Sequence, residues 1–362
     1  MFTFLKNYYA DHVKLFLKWQ TNRLKNHMDG EEEEKDFSFY EINGQAGGSF
    51  CISMDPDYIK TGGTADVYFG WEAEKFHDER EEYPTVAVKF YRGNSDNNLD
   101  YTMYERELDA LKKLGSHDNI VKFIDYGFDK SDNTFFIVSE YHSLDLKHLI
   151  SQLKEYRSTK TFTYKILGQT HILDDVDLKE MEEELEKEKN QSGAEIWLDR
   201  FNELLEGILN GLIHAIDQGI MHRDLKPANI LLSFNEESDQ MVPLLIDFGL
   251  SSRPEKLSIH KETIEKAGTH LYTPEYSDEE SKFPGSRDVY SWGVIAIEYL
   301  SGETITCYPD LIRVFEDIIE PKFPKSIVEI LGKCISVRAK DRPKDVKKLL
   351  NLLEIANSEL KI

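Results

Sequence analysis

The sequence predicts an α+β chain in two lobes, a β-rich lobe first and an α-helical lobe after it. Three observations carry this. From about residue 37 the chain breaks into short apolar or alternating pieces bounded by turn residues, Val67–Trp71, Val86–Tyr91, Val121–Tyr126 and Thr134–Glu140, the signature of strands. From Trp197 onward the apolar spacing is helical, over Trp197–Gln218, Val289–Ser301, Ser326–Cys334 and Pro343–Asn357. The 362 residues are 40% apolar and 12% aromatic, which supports a large core.

Residues 1–28 predict a helix that precedes the first lobe. Its apolar positions include Phe4, Leu5, Tyr8, Tyr9, Val13, Phe16, Leu17 and Leu24, and its charges are Lys6, Lys14, Lys18, Arg23 and Lys25 against Asp11. A basic amphipathic helix can lie on a membrane surface. An aromatic stripe at helical spacing is more often packed on protein, so docking on the main domain is the favoured expectation. The acidic run Glu31 to Glu34 then reads as a solvated hinge, which makes residues 1–36 an extension and 37–355 the main domain. Within that domain a helix pattern covers Tyr101–Leu114, the first lobe ends near 140, and the second spans about 143–355. Residues 151–196 interrupt the order. Their Asp174–Lys189 stretch holds nine acidic residues and three lysines, the composition of a charged insert.

The net charge of −23, from 44 basic and 67 acidic residues, argues against nucleic acid as a partner, since phosphates need a basic face. It favours basic protein partners and a soluble, self-repelling surface. Cys51, Cys307 and Cys334 are far apart and odd in number, which excludes a disulfide framework and fits a reducing, cytoplasmic setting. Lys6, Asp11, Lys14 and Lys18 interrupt the N-terminal apolar residues, so no signal-peptide core is predicted, and no apolar run approaches a membrane span.

The most informative segment is His222-Arg223-Asp224-Leu225-Lys226-Pro227-Ala228-Asn229. Phosphoryl transfer to a hydroxyl needs a carboxylate to take the proton, here Asp224, and an oxygen five residues on to hold a metal, here Asn229. Lys226 can neutralise charge on the moving phosphoryl group. An isolated His-Arg-Asp is usually an ordinary turn; the whole octet followed by Ile230-Leu231-Leu232 is not. Asp247-Phe248-Gly249 follows Asn229 by 18 residues, after the apolar run Leu244-Leu245-Ile246. An acid at the end of a buried strand can chelate magnesium against nucleotide phosphates. Val86-Ala87-Val88-Lys89 is a strand that can bring a lysine to those phosphates. Its partner is expected on the next helix at Glu107, with Glu105 the competitor; the register of Leu111 and Leu114 favours Glu107.

In this order the motifs resemble the eukaryotic-type serine/threonine protein kinase family, from about residue 57 to 355 less the insert. The resemblance implies the bilobal protein-kinase fold, ATP and Mg2+ as cosubstrate and cofactor, and a protein hydroxyl as acceptor. The phosphate-covering loop is the imperfect motif. Lys60-Thr61-Gly62-Gly63-Thr64-Ala65-Asp66-Val67 stands where the family has G-x-G-x-x-G-x-V, so Lys60 and Ala65 replace the outer glycines. Thr273-Pro274-Glu275 stands for the closing motif of the activation segment, with Gly268-Thr269 one residue nearer than is usual. Asp288 in Asp288-Val289-Tyr290-Ser291-Trp292-Gly293 resembles the aspartate that braces the catalytic loop, and Arg342 the arginine that pairs with Glu275.

By the same resemblance, Ile137-Val138-Ser139-Glu140-Tyr141-His142 is the last strand of the first lobe running into the hinge. Adenine is expected at the backbone of Glu140 and His142, with Ser139 as a small gatekeeper and Val67, Ala87 and Leu231 around the ring. Leu111, Phe123, Phe248 and His222 are expected to stack between the lobes. Arg223 implies a phosphate on the activation segment, with Thr263 as the switch or Glu265 as a built-in acid. Lys226-Pro227-Ala228-Asn229 favours serine/threonine over tyrosine specificity. A catalytically silent binding module has only the altered glycine loop in its favour, and a small-molecule kinase usually lacks the complete Lys-Pro-x-Asn loop.

Overall fold

The computed structural model describes residues 39–56, 59–62, 65–75, 84–92, 98–159, 163–166, 169–172, 190–235, 240–250, 271–274 and 282–361, with single helical positions at 179, 183, 186 and 187. The expected N-terminal helix, the acidic run and most of the charged stretch 174–189 lie outside them.

The first lobe is a seven-stranded antiparallel sheet. Its strands are β1 (Phe39–Asn43), β2 (Ser49–Ser53), β3 (Ile59–Thr61), β4 (Ala65–Glu72), β5 (Thr85–Tyr91), β6 (Phe123–Asp129) and β7 (Thr134–Glu140). Their order is β1-β2-β4-β5-β7-β6, with β3 paired to β4. Helix α1 (Asn98–Leu114) connects β5 to β6. Period-two alternation divides β5 cleanly. Val86 and Val88 are fully buried on the outer face with Phe50, Ile52, Phe136 and Val138. Ala87, Lys89 and Tyr91 therefore share the inner face, which looks toward α1 and the second lobe. Glycines close the sheet: a Cβ on Gly70 would stand 2.7 Å from the Cys51 carbonyl oxygen, so β2 and β4 can approach only because that position is bare.

The second lobe opens with β8 (Leu144–Asp145) and α2 (Leu146–Thr159). The helix runs past residue 151, where the insert was expected to begin, because Leu146, Leu149 and Ile150 bury its first turns and no breaker follows. A hairpin of β9 (Thr163–Ile166) and β10 (Gln169–Ile172) comes next. Helix α3 (Gly193–Arg200) starts at a capping box, in which the Ser192 hydroxyl accepts from Glu195 N–H and the Glu195 carboxylate accepts from Ser192 N–H.

The single helix expected over Trp197–Gln218 is α3, a π turn at Phe201–Leu205, and α4 (Glu206–Asp217). After it come β11 (Ile230–Asn235) and β12 (Gln240–Leu245), in a small sheet of order β12-β11-β8. Then follow α5 (Ser286–Ser301), α6 (Tyr308–Val314), α7 (Lys325–Cys334) and α8 (Val346–Leu360). Every residue of α5 is buried, which makes it the axis of the lobe. Trp292 donates from it to the Leu205 carbonyl at 3.2 Å, and Trp197 reaches Asn357 on α8 at 2.6 Å. Helix α8 begins at Val346 rather than at the expected Pro343, because the Asp345 carboxylate caps it by accepting from Lys348 N–H at 2.8 Å.

Candidate active site

Lys89 on β5 is the centre of the cleft between the lobes. Its Nζ lies 2.7 Å from Glu107 Oε2 on α1 and 3.1 Å from Asp247 Oδ1 after β12. Three distant parts of the chain thus meet at one ammonium. Burial alone would lower the Lys89 pKa, but the two carboxylates outweigh it and the net shift is upward. Asp247 shows the converse: burial would raise it, yet Lys89 foremost holds its carboxyl below the usual range. Burial dominates at Glu107 and leaves it raised despite Lys89. Glu105 is exposed, so the register picks Glu107 of the two expected candidates.

Tyr91, two residues along β5 and so on the same face, donates its hydroxyl to the same Glu107 oxygen at 2.5 Å. No sequence motif pointed to it; the period-two spacing from Lys89 was the available signal.

Across the cleft, the loop from Met221 to Asn229 is anchored by α5. Asp288 accepts the backbone N–H of His222 at 3.0 Å and of Arg223 at 2.8 Å. Arg223 has φ +67° and Asp247 φ +65°, left-handed conformations that cost a non-glycine residue energy and persist only when the surroundings hold them. His222 Nε2 bonds the Ile246 carbonyl at 2.9 Å, and its ring packs on Phe248 with centroids 4.7 Å apart. Leu111 and Phe248 are buried in the same core cluster, against which Phe123 packs half-buried.

Asp224, Lys226 and Asn229 converge. Lys226 Nζ lies 2.7 Å from Asp224 Oδ2, and Asn229 Nδ2 donates to the Asp224 carbonyl and to Oδ2 at 2.8 and 3.1 Å. Asp224 therefore holds a defined orientation, and the donor side of Asn229 is turned to it. The remaining Asn229 oxygen and the Asp247 carboxylate are hard donors of the kind magnesium takes, one or two per site with phosphates and water completing the shell. Among the described residues no group of three or more His, Cys, Asp or Glu could hold a metal by itself.

At the back of the cleft Ser139 pairs directly with Ala87 across β5 and β7. Glu140 follows it, with its N–H donated to the Lys122 carbonyl at 3.0 Å. The His142 ring lies 3.8 Å from the Glu140 carboxylate, a contact that leads the lowering of the Glu140 pKa. Val67 pairs with Lys89 on β4, and Leu231 lies half-buried on β11 opposite Asp145. Ala65 is buried, and its carbonyl accepts from Gly62 N–H at 2.9 Å, which closes the turn between β3 and β4. Lys60 turns away to Asp145 Oδ2 at 3.1 Å. Gly63 and Thr64 lie outside the described residues, as do Thr263, Glu265, Thr269 and Glu275. Arg342 donates to the Ser336 and Val337 carbonyls and covers the Tyr290 ring; its expected pairing with Glu275 falls outside the described residues.

The segment Leu271–Pro274 is moored on α5. Ser291 donates to the Tyr272 carbonyl at 2.7 Å, and the Tyr272 hydroxyl donates to Glu298 at 2.6 Å.

Comparison with known proteins bears on the whole arrangement. The chain is 25% identical over 304 residues to a probable serine/threonine-protein kinase PknB of Lactococcus lactis, covering 81% of this chain and 40% of that protein. It is 24% identical over 298 residues to serine/threonine-protein kinase A of Synechocystis, covering 76% of this chain and 49% of that one. The chain thus spans less than half the length of either relative. Among solved structures, the apo form of PpkA-294 superposes with a TM-score of 0.54 at 17% identity, over 87% of this chain and 97% of that one, which shows a shared fold. The family model for protein tyrosine and serine/threonine kinases matches residues 57–353, ending in the middle of α8, and this chain is a member of that family.

Proposed function

We propose that the chain is a serine/threonine protein kinase that moves the γ-phosphate of ATP to a hydroxyl on a protein substrate. The observation that carries this is the meeting of Lys89, Glu107 and Asp247 across the cleft from the Asp224–Lys226–Asn229 cluster. Val67, Ala87 and Leu231 receive the adenine, and the Glu140 carbonyl and His142 N–H are the hinge groups it meets. Ser139 leaves the rear of that pocket open. Gly62, Gly63, Thr64 and Ala65 cover the phosphates.

Lys89 orients the α- and β-phosphates and is itself fixed by Glu107. Asp224 accepts the proton of the attacking hydroxyl, held in place by Asn229, while Lys226 neutralises charge building on the transferring group. Asp247 and Asn229 would hold magnesium, which when bound would supply charge neutralisation on the phosphates. The net charge of −23 favours basic protein substrates. We read residues 37–355 as the catalytic unit and 1–36 as an N-terminal extension. No described helix is long and apolar enough to cross a membrane; the three free cysteines fit a reducing, cytoplasmic setting.

Incubation with γ-labelled ATP, magnesium and a basic protein, followed by phosphoamino-acid analysis, tests the reading. Label on serine or threonine is expected. Label only on tyrosine or on a small molecule would overturn the specificity.

A further inference from the structure

Tyr91 has no place in the motifs that define the family, yet it is built into the ion pair. It is 2% exposed, and its hydroxyl donates to the Glu107 oxygen that also receives Lys89. Glu107 Oε2 thus has two donors from one strand face, an ammonium and a phenol two residues apart. Burial first, and the Glu107 charge second, push the Tyr91 pKa well up, so the phenol stays a donor.

The ring is fixed as firmly as the hydroxyl. It packs edge-on against Tyr104, one turn before Glu107 on α1, with centroids 5.3 Å apart. Tyr104 stacks on Phe135 of β7 at 4.7 Å, and Tyr101 and Phe128 meet the same Phe135 at 5.1 and 4.8 Å. Helix α1 is therefore clamped to the sheet by an aromatic cluster from which the Tyr91 hydroxyl reaches Glu107.

We infer that Tyr91 is a positioning residue that locks Glu107, and with it helix α1, in the orientation that pairs with Lys89, so that the ion pair forms without an activating partner. The inference rests on the kinase reading for its effect on turnover, but the lock is a property of the fold and can be read without turnover. A carboxylate at the end of a helix side chain has several rotamers. Lys89 alone, drawn also to Asp247, does not select one; the Tyr91 hydroxyl fixes the second direction on the oxygen. Directed donors to a charged acceptor are the strong class of hydrogen bond.

The test is a double-mutant cycle on the full chain with Tyr91→Phe, Glu107→Leu, which leaves no acceptor, and the pair. Tyr91→Phe keeps the ring and its packing and removes only the donor. Amide exchange across Asn98–Leu114 is followed by mass spectrometry, with kcat and the KM for ATP measured alongside. In the otherwise native chain Tyr91→Phe is expected to speed α1 exchange and to lower kcat/KM, each about tenfold, the size of one hydrogen bond to a charged group. In the Glu107→Leu background the same substitution is expected to change either by less than about twofold. Equal effects in both backgrounds would make Tyr91 a packing residue and overturn the inference, as would unchanged exchange and unchanged kinetics in the single variant. A native chain that transfers no phosphate refutes the kinase reading, and the exchange cycle then decides the lock by itself.

Discussion

Asp288 stands 64 residues after Asp224 in the chain, yet the structure makes the loop that carries Asp224 depend on it. It is 1% exposed on α5, and its two oxygens accept the N–H groups of His222 and Arg223. Asp288→Ala leaves both donors buried. A bond from a neutral donor to a charged acceptor is worth about 1.5–3 kcal/mol, so the pair sums to about 3–6 kcal/mol. Relaxation of Arg223 out of its left-handed backbone, which costs about 1–2 kcal/mol, offsets part of this.

Most of that energy is expected as lost stability, read from the midpoint of urea unfolding at unchanged slope. Asp288→Asn is expected to lose about half as much, since its amide oxygen still accepts one N–H. Both variants should lower turnover by more than about a hundredfold even where folded, because Asp224 is one residue beyond the freed backbone. Asp288→Ala with a stability loss under about 1 kcal/mol and native kcat would refute the bracing argument.

Other perturbations separate neighbouring roles. Lys89→Met leaves buried Glu107 and half-buried Asp247 as unpaired like charges, so activity should fall at least about a hundredfold; Lys60→Met breaks only a surface pair with Asp145 and should cost less than about fivefold. The reverse ranking in steady-state assays would move the phosphate contact to the glycine loop. Because Ser139 faces Ala87, ATP-competitive inhibitors with bulky groups aimed behind the adenine should bind the native chain, and Ser139→Phe should weaken them far more than it weakens ATP; equal inhibition of both forms argues against an open rear pocket. Glu298 is raised to about 7 by burial above all. The folded chain therefore binds a proton that the unfolded chain has released between about pH 4.5 and 7. Stability from this group is present at low pH and falls by about 3 kcal/mol as pH rises through that window. Glu298→Gln should flatten that part of the unfolding free-energy curve, and an unchanged slope would remove the burial argument.

The catalytic loop, Asp247 and Lys89 were legible because their chemistry fixes both residue type and spacing, and Glu107 because helical register leaves one inward position. The strand Thr134–Glu140 was legible to the residue, its apolar run being bounded by a turn and the hinge. Tyr91 was not legible: a tyrosine at the end of an apolar strand reads as core, and only the approach of α1 gives its hydroxyl a partner. The start of α8 was missed because Pro343 is a common first helical residue, whereas the Asp345 side chain wins by capping. The hairpin of β9 and β10 was missed because Thr163–Ile166 and Gln169–Ile172 alternate weakly and sit beside an acidic stretch that dominates the composition. The π turns at Phe201–Leu205 and Phe315–Ile319 leave no mark on apolar spacing over a single turn.

The most direct measurement of the central claim sets the native chain beside Asp224→Asn in one experiment, with label transfer from γ-labelled ATP to a basic protein and nucleotide affinity both recorded. The loss of a positioned base should lower transfer about 10²–10⁴-fold, while ATP affinity stays within about twofold, because Asp224 pairs with Lys226 and Asn229 and not with Lys89. Equal transfer by the two chains, or no transfer by the native one, would contradict the account.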